Sequence, residues 1–206
     1  MLKRFVDIVI SALMLVFFAP LFLILAILIK LDSFGPVFYS HERVGKDGKP
    51  FRLLKFRSMV QNADEILWKL DPKLLEEYKK GSYKLKNDPR ITKVGKFIRR
   101  YSFDELPQFI NVLRGDMSLV GPRACKPNEL EEQQKVFPNS QADVKTMLSV
   151  RPGLTGPWQV GGRNEINFDE RTRLGAEYAR KQSLVFDFLI MFKTPYAAIK
   201  GDGNWV

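Results

Sequence analysis

Two adjacent carboxylates, Asp104 and Glu105, stand in the stretch Arg99-Arg100-Tyr101-Ser102-Phe103-Asp104-Glu105-Leu106-Pro107-Gln108. A carboxylate can attack phosphorus to form an acyl phosphate when nearby cations and a divalent metal offset the charge of substrate and transition state. Helical spacing would place Arg100 one turn before Asp104, and Arg99 adds a second guanidinium able to grip phosphate with two hydrogen bonds. Glu105 could bind the metal or assist an incoming acceptor. The same residues fit a capping box, with Ser102 as N-cap, Glu105 at the third helical position and Asp104 in the acidic first turn. A cap and a phosphate site are compatible, because a helix N-terminus is also where a phosphate is best received.

A second phosphate-friendly run is Ser149-Val150-Arg151-Pro152-Gly153-Leu154-Thr155-Gly156-Pro157-Trp158-Gln159-Val160-Gly161-Gly162-Arg163-Asn164. Its glycines permit close backbone approach, Arg151 and Arg163 can pair with a diphosphate, and Trp158 offers a flat surface for a base or sugar. Turn-forming glycines and a core tryptophan account for the same residues equally simply.

The chain has 206 residues and a formal net charge of +10, which favours anionic partners: nucleic acid, acidic lipid or a phosphorylated substrate. Nucleic acid is disfavoured, since no recognition motif with base-stacking aromatics is present. One cysteine, Cys125, and one histidine, His41, exclude an internal disulfide, a Cys-rich zinc site and a His-pair metal site. Cys125 reads as a small apolar filler and His41 as a surface or strand residue.

Residues Ile8 to Ile29 carry no charge, enough for a helix crossing about 30 Å of hydrocarbon. Lys3 and Arg4 precede this run, and Lys30, Arg43, Lys46 and Lys49 follow it, so both ends look cytoplasmic. Pro20 falls mid-run, where it removes a backbone donor and predicts a kink. A kinked spanning helix and one that returns to the same face both satisfy these residues.

The remainder reads as one body. Val37–Ser40 and Pro50–Phe56 predict a hairpin around Gly45–Gly48. Asn62–Glu65 opens a helical stretch interrupted at Pro72, and residues 87–100 end in a short basic amphipathic helix. Met117–Val120 predicts a strand, Asn128–Lys135 an acidic surface helix, and 168–182 and 184–200 two further helices. The last of these either packs in the core or lies in the headgroup layer, and Trp205 could sit at the interface too. The expected fold class is α+β, mostly helical, with a membrane helix, amphipathic interfacial helices and a small β-hairpin.

Five spaced blocks carry a resemblance over nearly the whole chain: Lys55-Phe56-Arg57-Ser58-Met59; Asp88-Pro89-Arg90-Ile91-Thr92; Ser102 to Gln108; Asn111 to Arg123; and Arg151 to Gly156 with Gln159-Val160 and Gly162-Arg163-Asn164. In this order they closely resemble the bacterial sugar transferase family of monotopic phosphoglycosyl transferases. The resemblance implies an anchor over residues 1–30 that re-enters at Pro20 and a cytoplasmic catalytic domain over 31–206, at the inner membrane. It implies a Mg2+-dependent ping-pong reaction in which Asp104 takes a sugar phosphate from a UDP-sugar and passes it to polyprenyl phosphate, the first membrane step of glycoconjugate or exopolysaccharide synthesis. Glu105 would complete the catalytic dyad and share the metal with Asp104, and Arg99 would bind a lipid-linked phosphate. Lys55, Arg123, Arg151, Thr155, Gln159 and Arg163 fall in blocks expected to hold phosphate or substrate, and Lys3 and Arg4 match residues that meet headgroups. Expected partners are UDP-sugar, polyprenyl phosphate and membrane lipids, with a homodimer left open and no nucleic acid.

Two departures stand out: Ala124 and Cys125 follow Arg123 where the family usually has a second proline, and Ala19 replaces the usual serine before Pro20. The extra N-terminal membrane domain of larger relatives is not expected, leaving a minimal catalytic form. The competing class is a non-catalytic, membrane-docked module that binds phosphorylated ligands or acidic lipids.

Overall fold

The computed structural model describes residues 1–70, 72–80, 85, 87–161 and 167–200, so Arg163 and Trp205 lie outside the described residues. The uncharged run forms the middle of α1 (Leu2–Asp32), 31 residues long. At 1.5 Å per residue this is about 46 Å, more than a single crossing of the hydrocarbon needs. The helix continues through Pro20, where the sequence suggested a break. A proline forfeits one backbone donor, a loss that neighbouring groups in a membrane helix can absorb.

One face of α1 packs inward along most of its length. Asp7, Ser11, Leu25 and Ile29 are buried, and Ile10, Met14, Leu15, Phe18, Leu21 and Phe22 are partly buried against the same cores. The opposite face stays apolar and bare, with Leu13, Val16, Phe17, Leu23 and Ile24 each more than half exposed. Both ends are fastened to the body. At the start, Arg4 donates to the carbonyls of Val112 (2.6 Å) and Leu113 (3.0 Å). At the finish, the Arg57 guanidinium donates to the carbonyl of Ile29 in the last turn and to those of Ser33 and Phe34 just beyond it.

The predicted hairpin is present and longer than its sequence core: β1 (Phe38–Val44) pairs antiparallel with β2 (Pro50–Phe56), placing Tyr39 opposite Lys55 and Arg43 opposite Phe51. The acidic stretch forms α2 (Ala63–Glu65), which runs into a π turn over Ile66–Leu70, followed by α3 (Pro72–Lys80). Then come α4 (Lys93–Arg100), α5 (Gln108–Arg114), β3 (Ser118–Val120), α6 (Pro127–Val136), α7 (Gln141–Leu148), β4 (Gly153–Thr155), α8 (Pro157–Val160), α9 (Phe168–Lys181) and α10 (Leu184–Lys200). The α+β class is as expected.

One strand was hidden in the sequence. β4 pairs in parallel with β3, although its residues read as a glycine-rich turn. The two strands approach so closely that a Cβ on Gly153 would collide with the backbone of Gly121, so the glycines are the condition of the pairing. The main core gathers Phe109, Val112, Met117, Val120, Tyr178 and Ile190. α10 packs one face into the core, with Asp187 and Ile190 buried, and leaves the other bare, with Val185 71% and Phe192 88% exposed.

Candidate active site

The dyad is placed by the junction between α4 and α5. The N-terminus of α4 is held twice, by the Thr92 hydroxyl accepting from Gly95 N (2.9 Å) and by Asp32 Oδ2 accepting from Val94 N (2.9 Å). Gly95 lies directly on Ser58, whose carbonyl a Cβ would strike, so α4 rests on the segment following β2. At its far end the chain turns sharply: Ser102 adopts a left-handed conformation (φ 58°), and Phe103–Glu105 form a single 3₁₀ turn before α5.

That turn corrects two expectations. The capping box does not form, because Ser102 makes no side-chain cap and a left-handed residue cannot serve as an ordinary N-cap. Arg100 is likewise not one helical turn from Asp104, since α4 ends before Ser102. Arg99 is the arginine whose positive charge draws the Asp104 carboxyl downward. A non-glycine residue in the left-handed region costs on the order of 1 kcal/mol, and such residues gather at functional sites.

Lys55 of β2 reaches across to both carboxylates, 3.2 Å from Asp104 Oδ2 and 2.8 Å from Glu105 Oε1. Asp104 is buried, and its other carboxyl oxygen accepts no hydrogen bond from the described residues; the Glu105 side chain is 38% exposed. Burial pushes the Asp104 carboxyl above the ordinary carboxylate range; Lys55 opposes this and the Glu105 charge adds to it. For Lys55, burial disfavours the charge, but Asp104 and Glu105 outweigh it and hold the ammonium above its usual value. The arrangement presents a half-engaged carboxylate next to an exposed one, with a fixed cation between them.

Asn111, which sequence reasoning passed over, keeps Lys55 and the dyad in register. Fully buried on α5, its Oδ1 accepts from Leu54 N (2.9 Å), while its Nδ2 donates to Arg52 O (2.7 Å) and Asp116 Oδ2 (3.1 Å). An amide between the apolar Phe109 and Val112 was the signal available in the sequence.

The other candidates are distributed unevenly. Arg123, beyond β3, has its guanidinium 4.5 Å from the Trp158 ring, and its charge is felt at Lys55. Trp158 is buried with that face covered by Arg123, so it does not offer the flat surface expected of it. Arg151 donates to Gly115 O (2.7 Å), and the Thr155 hydroxyl pairs with Thr194 (2.8 Å) at the β4–α10 contact. Gln159 sits on α8 beside Trp158. Lys3 and Arg4, expected at headgroups, both turn inward: Lys3 lies 2.6 Å from Asp187 and donates to Val120 O (3.2 Å). Carboxylate and carbonyl acceptors within reach outcompete an exposed position for these two cations.

The frame is mostly helical with a hairpin, has one helix long and apolar enough to cross a membrane, and holds a cation-bridged carboxylate pair. The chain belongs to the bacterial sugar transferase family, whose description matches residues 1–201. It is 46% identical to the undecaprenyl-phosphate galactose phosphotransferase of Salmonella typhimurium, over 99% of this chain and 42% of that protein. It is 40% identical to the exopolysaccharide production protein ExoY of Rhizobium meliloti, over 100% of this chain and 88% of that protein. Against the UDP-glucose:undecaprenyl-phosphate glucose-1-phosphate transferase of Escherichia coli, identity is 40% over 95% of this chain and 40% of that protein. The chain thus spans less than half the length of two of these relatives.

Proposed function

We propose that this chain transfers a sugar 1-phosphate from a UDP-sugar to polyprenyl phosphate through a covalent intermediate on Asp104. The observation that carries this reading is Asp104 itself, buried, tied to Lys55 through one oxygen only, and adjacent to the exposed Glu105. The relatives' printed names supply the substrate classes. The free Asp104 oxygen attacks the β-phosphorus, and the bond from that phosphorus to the bridging oxygen breaks. Uridine monophosphate departs with the electron pair, leaving an acyl phosphate that carries the sugar. An oxygen of polyprenyl phosphate then attacks the same phosphorus and frees the carboxylate. Lys55 holds Asp104 in place and offsets charge on the phosphoryl oxygens, and Arg99 adds a second cation.

Mg2+ suits this donor set. Asp104 and Glu105 would hold it, and magnesium commonly uses one or two carboxylates with water and substrate phosphate for the rest. No group of three or more His, Cys, Asp or Glu residues gathers among the described residues, so water and substrate phosphate would have to supply the remaining ligands. When bound, it would supply charge neutralisation at the phosphates.

We further propose that the protein sits on the cytoplasmic side of the inner membrane, with α1 entering and leaving on one face and residues 31–206 forming the catalytic part. A helix fastened to one body at Arg4 and again at Ile29 is poorly placed to carry its two ends to opposite sides of a bilayer. Cysteines at Leu2 and Lys30 should react with an impermeant label from the cytoplasmic side alone; labelling of either from outside defeats the topology. For the chemistry, purified protein with Mg2+ and a panel of UDP-sugars should release uridine monophosphate. Nucleotide-sugar binding without release would favour a non-catalytic module.

A further inference from the structure

The hairpin face that carries Lys55 is chemically polarised. Side chains alternate along a strand, so Tyr39, His41 and Arg43 share one face of β1, with Lys55 opposite Tyr39. From Tyr39 to Arg43 is about 13 Å at 3.3 Å per residue.

At the Arg43 end, positive charge is in excess. Arg43 (8% exposed) lies 4.0 Å from Glu129, and Arg171 lies 2.6 Å from the same carboxylate. Arg123 and the exposed Lys126 make no ion pair among the described residues. Buried charge without full compensation is costly unless an anion completes it. Two buried donors close by, His41 Nδ1 and Trp158 Nε1, have no acceptor among the described residues. Because Arg43 donates to His41 Nε2 (2.7 Å), the imidazole proton is on Nδ1.

At the Tyr39 end the chemistry reverses. Burial, reinforced by the nearby Asp64 charge, raises the pKa of the Tyr39 hydroxyl, and Asp64 lines an open cleft of about 690 Å³ together with Phe34, Gln61, Asn62 and Glu65. Two amides and two carboxylates are the chemistry that recognises sugar hydroxyls and repels phosphate.

Resting on the transferase reading above, we propose that the nucleotide sugar lies along β1 with its nucleoside monophosphate at the Arg43–Arg123–Lys126 end and its sugar in the Gln61–Glu65 cleft. The reacting phosphorus then falls between them, beside Lys55 and Asp104. Sugar selection is thereby assigned to residues 61–65.

The test uses the full chain in detergent or nanodiscs. Calorimetric titration with uridine monophosphate should show about tenfold weaker binding for Lys126→Gln and for Arg43→Gln; Lys126 is exposed, so its variant stays informative if Arg43→Gln fails to fold. Asn62→Ala and Asp64→Asn should keep uridine monophosphate affinity within about twofold. Their relative kcat/KM among UDP-glucose, UDP-galactose and UDP-N-acetylgalactosamine should shift at least fivefold. Unchanged sugar preference in both cleft variants overturns the proposal, as does loss of uridine monophosphate affinity there with none lost at Lys126. If the unmodified protein releases uridine monophosphate from no nucleotide sugar, the transferase reading itself falls, a result separable from either of these.

Discussion

Two lysines in this protein each stand between two carboxylates, and they serve opposite ends. Lys3 meets Asp187 (2.6 Å) and Asp7 (3.9 Å); Lys55 meets Glu105 (2.8 Å) and Asp104 (3.2 Å). Around Lys3 the acceptors are consumed. Asp7 takes the Ser118 hydroxyl (2.8 Å) and Leu119 N (3.1 Å), Asp187 takes the Tyr178 hydroxyl (2.6 Å), and both carboxylates are buried. This closed network joins α1 to β3, α9 and α10. Around Lys55, one Asp104 oxygen has no partner among the described residues and the Glu105 side chain is 38% exposed. A saturated buried network holds a fold together, while an unsaturated one has capacity left for a substrate.

The contrast is sharpest at the carboxylates. Asp104→Asn should lower uridine monophosphate release by at least about 10³-fold while leaving the thermal midpoint nearly unchanged, because an amide cannot act as the attacking group. Asp187→Asn should do the opposite: breaking a buried pair costs about 3 kcal/mol or more, a fall of roughly 6–12 °C in midpoint, with turnover per folded molecule retained. Equal effects of the two changes on activity would erase the distinction.

At the lysines, Lys55→Met should reduce kcat by about 10²-fold, the usual loss for one preorganised cation or donor at a developing charge. A loss confined to KM would mean that Lys55 only binds the donor. A smaller effect is expected at Tyr178→Phe, which removes hydrogen bonds to Asp187 and Val120 and should cost about 1–2 kcal/mol, or 2–8 °C, without changing kcat.

The subtlest prediction concerns His41, whose burial, reinforced by the Arg43 charge, holds its pKa down at about 3. A base with a depressed folded pKa stays neutral while the unfolded chain takes up a proton near 6.5. Stability is therefore complete above about pH 6.5 and declines as pH falls toward 3. In His41→Gln the rise in thermal midpoint between pH 4 and 6 should be shallower, and an unaltered slope would show that His41 does not supply that proton difference.

Local pattern revealed much of this protein. The uncharged run, the hairpin and the helices at 168–182 and 184–200 follow from charge, alternation and period; the last two appear close to their expected bounds, while α1 and β1 extend beyond theirs. The dyad was legible as residue types in cationic company, but its geometry was read as a helix cap. Capping patterns assume ordinary backbone at Ser102, and only the packing of α4 on Ser58 and of α5 on β2 forces the left-handed turn.

Lys55, Asn111 and the β3–β4 pair show the same limit. Lys55 is 49 residues from Asp104, and Ser118 pairs with Gly153, contacts that no local period encodes. The sequence by itself determined which groups could handle phosphate and that Ile8–Ile29 is uncharged, because charge and hydropathy belong to residues. Tertiary structure alone decided which lysine sits among fully engaged carboxylates and which borders a carboxyl oxygen with no partner among the described residues. That depends on how many neighbours saturate each carboxylate, and such neighbours come from segments far apart along the chain.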